Sequence, residues 1–90
     1  MSWPANHDDA GAGRHVFLVE MDAGPDALLR VLGPFALLGA RVTGLDLTDR
    51  DSRLDLRIEA RGLATTLADH LGRKLRALPS VRAVGQGWIS

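Results

Sequence analysis

Cysteine is absent from the 90-residue chain, and so is any excess of charge: eleven basic residues balance eleven acidic ones. Without cysteine there is no disulfide framework, no thiol nucleophile and no cysteine-based metal site. Without net charge there is neither the basic footprint of a nucleic-acid binder nor a polyanionic tail. No apolar run approaches the roughly 20 residues that cross a bilayer. The N-terminus also lacks the charged-then-apolar order of a secretory signal. What these absences leave is one small domain, expected in the cytoplasm. A chain this short buries a modest fraction of its surface and gains from company, so a dimer or a subunit of a larger assembly is expected.

Residues 1–13 mix Pro4, Asn6, Asp8, Asp9, Gly11 and Gly13 with little that can be buried, the composition of a flexible tail. Trp3 is its one large apolar group. His7, Asp8 and Asp9 are adjacent, and neighbours in a flexible tail hold no coordination geometry, so no metal is assigned to them. The domain proper is expected over 14–90. Arg14 to Met21 carries apolar residues on both faces, Phe17, Val19 and Met21 on one and Val16 and Leu18 on the other, as a central strand does. At Gly24-Pro25-Asp26 the spacing changes from strand to helix. Gly24 tolerates unusual backbone angles, Pro25 suits a first helical turn, and Asp26 places negative charge at the positive end of the macrodipole. A strand running into a helix start is a structural turn or a place where free amides meet a small ligand, and the local residues admit both.

Leu28, Val31, Leu32, Phe35 and Leu38 then recur at helical spacing, interrupted by Gly33-Pro34 and stopped at Gly39. From Arg41 to Thr48 the spacing is extended again. Val42 is out of phase with Leu45 and Leu47, which predicts a bulge near Gly44. Asp49-Arg50-Asp51-Ser52 reads as a turn, and Leu54, Leu56, Ile58 and Ala60 alternate strictly with Arg53, Asp55, Arg57 and Glu59. The charged side of this strand can pair across strands or simply face water. Leu63, Leu67, Leu71, Leu75 and Leu78 mark a second helix with Arg73, Lys74 and Arg76 near its end, and Val81 to Ile89 closes the chain as a strand, with Trp88 expected to fold back onto the domain edge or a neighbour.

Strand, helix, strand, strand, helix, strand is the ferredoxin-like α+β sandwich: a four-stranded antiparallel sheet with two helices on one face. A metal carrier on this fold needs cysteines after the first strand. An RNA reader needs paired aromatics on its central strands. An anion-cradling hydrolase needs a basic loop where Met21 to Asp26 offers none. No paired acid and base or nucleophile and base appears elsewhere, which argues against catalysis.

Val19 to Asp26, the helix Ala27 to Phe35, the turn Leu38 to Val42 and the closing Arg73 to Val84 together resemble the ACT domains, small amino-acid-sensing regulatory modules. Within that family Gly24-Pro25-Asp26-Ala27-Leu28 followed by Arg30-Val31-Leu32 is most similar to the short-form regulatory subunits of acetolactate synthase. The resemblance implies a homodimer with no cofactor of its own that binds a separate catalytic chain. Thiamine diphosphate, a divalent metal and flavin would belong to that partner. It also implies an effector pocket over Gly24, Asp26, Ala27 and Leu28 with Gly39, Ala40, Arg41 and Val42. Val16 and Leu18, on the face away from the helices, are the candidate dimer or partner surface. Two positions depart from the family pattern: Asp26 stands where a glycine is usual and Arg41 where an asparagine is usual. Asp26 would repel an amino-acid carboxylate, and Arg41 is expected either to capture that carboxylate or to pair with Asp26 and close the pocket.

Overall fold

Apolar residues on both sides of Arg14–Asp22 put this strand, β1, in the middle of the sheet. The computed structural model describes residues 14–89. The tail over 1–13, with Trp3 and the His7-Asp8-Asp9 run, lies outside the described residues, as does the side chain of Trp88. After β1 come helix α1 (Ala27–Leu37), strands β2 (Arg41–Arg50) and β3 (Arg53–Arg61), helix α2 (Thr65–Arg76) and strand β4 (Val81–Ile89). The sheet order is β2-β3-β1-β4, with β1 antiparallel to both of its neighbours and β2 antiparallel to β3. This is the expected ferredoxin-like arrangement, and no helix among the described residues is long and apolar enough to cross a membrane.

Alternation along the strands divides the sheet into two faces. Phe17, Val19 and Met21 pair with Ile58, Leu56 and Leu54 on the face beneath the helices. There they meet Ala27, Val31 and Phe35 of α1 and Ala68, Leu71 and Leu75 of α2. Phe17 and Phe35 join the layers edge to face, with ring centroids 5.2 Å apart at 87°, an arrangement that suits the ring quadrupoles. α1 runs through Gly33-Pro34 to Leu37 and ends at Gly39, whose φ of 75° belongs to the left-handed region that glycine tolerates.

Three details refine the sequence reading. The bulge foreseen near Gly44 is present as a shift in register between Val42 and Gly44, which brings Leu45 and Leu47 onto the helix-side face opposite Ile58 and Leu56. The buried stripe of α2 is Ala68, Leu71, Gly72 and Leu75, and Leu67, expected in that stripe, is exposed. Leu67, Leu71 and Leu75, spaced by four, drift around a helix of 3.6 residues per turn, so Leu67 leaves the face that buries the other two. Val16, expected to lie wet on the open face, is only 9 % exposed, whereas Leu18 on the same face is 54 % exposed. Charged neighbours explain part of this difference: Val16 lies opposite Glu59, which gathers both Arg14 and Arg57.

The sequence reading also passed over His15. It is buried at 2 % exposure, with its Nε2 3.1 Å from the Leu63 carbonyl. A carbonyl only accepts, so this nitrogen donates and carries the proton. The bond fastens β1 to the chain just before α2.

Candidate functional site

β1 ends at Asp22, and its exit is held from two sides. The Asp22 N–H donates to the Ser80 carbonyl at 2.8 Å, and the Ala23 N–H donates to the Ser52 carbonyl at 3.0 Å. The second bond ties the loop before α1 to the turn between β2 and β3, and the first brings it against the turn between α2 and β4. A recess of about 200 Å³ lies between them, lined by Ala23, Gly24, Asp26, Arg30 and residues 78–80. The Arg82 guanidinium bonds Asp22 at 2.7 Å, which holds Arg82 firmly protonated.

Asp26 is the N-cap residue of α1, yet its side chain caps no amide of the helix. The Ala27 N–H finds the Gly24 carbonyl at 3.2 Å, while those of Leu28 and Leu29 are left without intrahelical acceptors by helix geometry. The carboxylate turns to Arg30 one helical turn on, at 2.7 Å from its Nε. That hydrogen bond, with the guanidinium charge, keeps the Asp26 carboxyl below its usual range. The helix start therefore presents a carboxylate already matched to a cation, beside amides that a second carboxylate would have to reach past that charge.

Of the eight residues expected to share an effector pocket, the structure puts Gly24, Asp26 and Ala27 on this recess and packs Leu28 against the core. It places Gly39, Ala40, Arg41 and Val42 at the other end of α1, where Arg41 lies opposite Arg61 and Val42 opposite Ala60. The eleven-residue helix α1 runs from the first group to the second, about 16 Å of rise. The expected pairing of Arg41 with Asp26 is thereby corrected: within one chain they cannot meet, and Arg30 takes the role assigned to Arg41. The Asp26 to Arg30 spacing of four on a helix was a readable signal for this pair. The contribution of residues 78–80 to the recess had no local signal, because it depends on how two loops meet.

A second feature is the edge formed by β2. All of its residues except Gly44 are exposed. On its helix-side face Leu45 and Leu47 remain 40 % and 44 % exposed, where α1 does not reach to cover them.

A module of this topology, with a recess of about 200 Å³ at the first helix start and an exposed edge strand, is a ferredoxin-like α+β domain by class. The chain belongs to the ACT-like domain family, whose model matches residues 9–87, and ACT domains are regulatory modules. Among solved structures it is similar to the ACT domain from GTP pyrophosphokinase of Chlorobium tepidum, at 13% identity and a TM-score of 0.74 over 83% of this chain and 97% of that one. It is also similar to the C-terminal domain of the MgtC protein from Mycobacterium tuberculosis, at 14% identity and a TM-score of 0.71 over 89% and 90% of the two chains. A formyltetrahydrofolate deformylase from Burkholderia mallei carries the same fold within a longer chain, at 19% identity and a TM-score of 0.63 over 82% of this chain and 26% of that one. At such identities these likenesses describe the fold. No curated protein sequence matches.

Proposed function

We propose that this chain is a non-catalytic regulatory subunit of acetolactate synthase, paired with a second copy through β2, that binds and activates a separate thiamine-diphosphate-dependent catalytic chain in branched-chain amino-acid biosynthesis. The observation that carries the reading is the β2 edge. A ten-residue strand with a free backbone edge and two half-exposed leucines beside it is stabilised when another strand continues the sheet. The likeness of residues 24–28 and 30–32 to the helix start of short-form small subunits supports the choice of partner.

Pairing β2 with β2 about a two-fold axis normal to the sheet would join eight strands into one sheet. The α1 start of one copy would then lie at the same end as the 39–42 turn of the other. The two halves of the expected effector site, separated within one chain, would thus come to a shared interface. The Asp26 carboxylate, already held by Arg30, disfavours an amino-acid carboxylate there. Valine, leucine and isoleucine are accordingly expected to bind weakly, and Asp26→Gly to strengthen binding.

A second reading, a free-standing domain that senses an amino acid on behalf of another enzyme, is supported by the recess at the α1 start. Co-expression with an acetolactate synthase catalytic chain separates the two. The first reading expects co-elution and a several-fold rise in acetolactate formation. Absence of both, together with tight binding of a branched-chain amino acid by calorimetry, would replace it with the second.

A further inference from the structure

Among the described residues no helix covers the sheet face opposite α1 and α2, and this face is uneven. Toward the Arg14 end it is closed over by Arg14 and Arg57, both drawn to Glu59. Toward the middle it opens into a depression of about 530 Å³, floored by Leu18 and bordered by Ala83 and Gly85 of β4 and by Asp46 and Thr48 of β2.

Two observations say what this depression is suited to hold. The first concerns Gly85, which lies opposite Leu18. Its φ is not in the left-handed region, and a Cβ there would sit 3.7 Å from the Leu18 Cβ, an ordinary contact. Neither the backbone nor the internal packing requires glycine at this place. Its effect is to leave Leu18 uncovered on a face that water otherwise wets.

The second observation concerns charge. Arg53 bonds Glu20 at 2.9 Å, Arg57 bonds Glu59 at 2.6 Å, and Arg50 bonds Asp55. Asp46 lies opposite Arg57 in the register, yet Arg57 turns to Glu59, and the Asp46 carboxylate has no ion pair or hydrogen bond among the described residues. Three carboxylates line the depression, those of Glu20, Asp46 and Asp55, against the one guanidinium of Arg57.

We infer that this depression is a docking site for a basic, apolar-flanked segment of a partner protein, with an arginine or lysine of the partner on Asp46 and an aliphatic side chain on Leu18 in the space that Gly85 leaves. A long cationic side chain suits such a place because its stem covers apolar surface while its head reaches a carboxylate. Identifying that partner with the catalytic chain rests on the function proposed above. The chemistry of the site does not.

The test therefore has two arms. In the first, acetyl-Leu-Arg-Leu-amide is titrated into the protein while backbone amide signals are followed by NMR. The expected result is saturable shifts at Leu18, Asp46 and Gly85, at least tenfold weaker binding to Asp46→Lys and to Gly85→Val, and no comparable shifts with acetyl-Leu-Glu-Leu-amide. Equal response to both peptides, or shifts confined to the helices, overturns the inference. Shifts at Leu18 and Gly85 that follow protein concentration alone overturn it as well, because they would make a second copy the occupant. In the second arm, association with the catalytic chain is measured for the same variants, with Lys74→Glu on the opposite layer as control. A tenfold loss for Asp46→Lys and Gly85→Val and none for Lys74→Glu is expected. Equal binding by all of them overturns the inference. If the unaltered protein does not associate, the proposed function falls and the peptide arm alone decides the site. Asp46 is exposed, so its substitution leaves the fold intact even if Gly85→Val does not.

Discussion

The two edges of this sheet are finished in opposite ways. β4 has α2 leaning over it: Arg76 donates to the Val84 carbonyl at 3.3 Å, and Gln86 donates to Asp69 at 2.9 Å. The Gln86 amide lies over Gly72, where a Cβ would displace it. β2 has no such cover. Among the described residues its cross-links all run to β3, through the ladder, the Thr43 hydroxyl on the Glu59 carbonyl at 3.4 Å and the Arg50–Asp55 ion pair, and its leucines are left half bare. Exposed edges invite other strands, and proteins usually blunt those they do not use. The pairing proposed through β2 rests on this difference between the two edges.

The strongest way to break this comparison is to put charge on the open edge. Leu45→Lys with Leu47→Lys is expected to weaken self-association about a hundredfold, roughly 3 kcal/mol, because two apolar side chains lose their cover and two ammonium groups are forced toward their own copies. Sedimentation equilibrium reads this directly. A dimer that survives the double change does not use β2, and an unaltered protein that is monomeric at micromolar concentration leaves the open edge without the partner assigned to it. A smaller effect is expected from the other side. Arg76→Val with Gln86→Val strips the cover from β4 and should let assemblies larger than a dimer appear at about tenfold lower concentration, as seen by light scattering. No change would mean that the glycines of β4, more than its side-chain bonds, keep that edge from pairing.

Little of this asymmetry was legible in the sequence, although the fold was. Period and punctuation suffice for elements: alternation over 53–60, the strand-to-helix switch at Gly24-Pro25, and even the bulge at Val42/Gly44 are local signals, and the order of elements restricts the topology. Coverage is not local. Leu45 and Leu47 look like core residues by their phase, and only the lateral reach of α1 decides that they are not. Val16 and Leu18 are equivalent by alternation, yet one lies beside a Glu59 that draws two arginines and the other beside Gly85. Within one chain the candidate site is divided for the same reason. Residues 24–28 and 39–42 are joined by one helix in the sequence, and a helix keeps its two ends apart. Asp26 was read correctly as a charge at the helix start, but its partner was sought across the fold when it lay four residues away.

The smallest effect bears on how closely the two edges of a joined sheet bring these ends together. Asp26 titrates below the usual carboxylate range because Arg30 bonds it. Its folded value lies below its unfolded one, so the associated stabilisation is present above the unfolded value and fades as pH falls through the folded value. The group is exposed, and the effect on stability is small for that reason. NMR titration of the Asp26 carboxyl is the suitable measurement. Arg30→Ala should return its midpoint toward the ordinary value. Arg41→Ala should leave it unmoved in dilute, monomeric protein, since Arg41 stands at the far end of α1. If β2 pairs with β2, Arg41 of one copy comes to the end of the sheet that holds Asp26 of the other, and Arg41→Ala should then raise the midpoint slightly at concentrations where the dimer forms and not below them. An Arg41 effect independent of concentration would contradict the separation of the two ends within one chain, and an absent effect in a proven dimer would keep the two halves of the site too far apart to share a ligand.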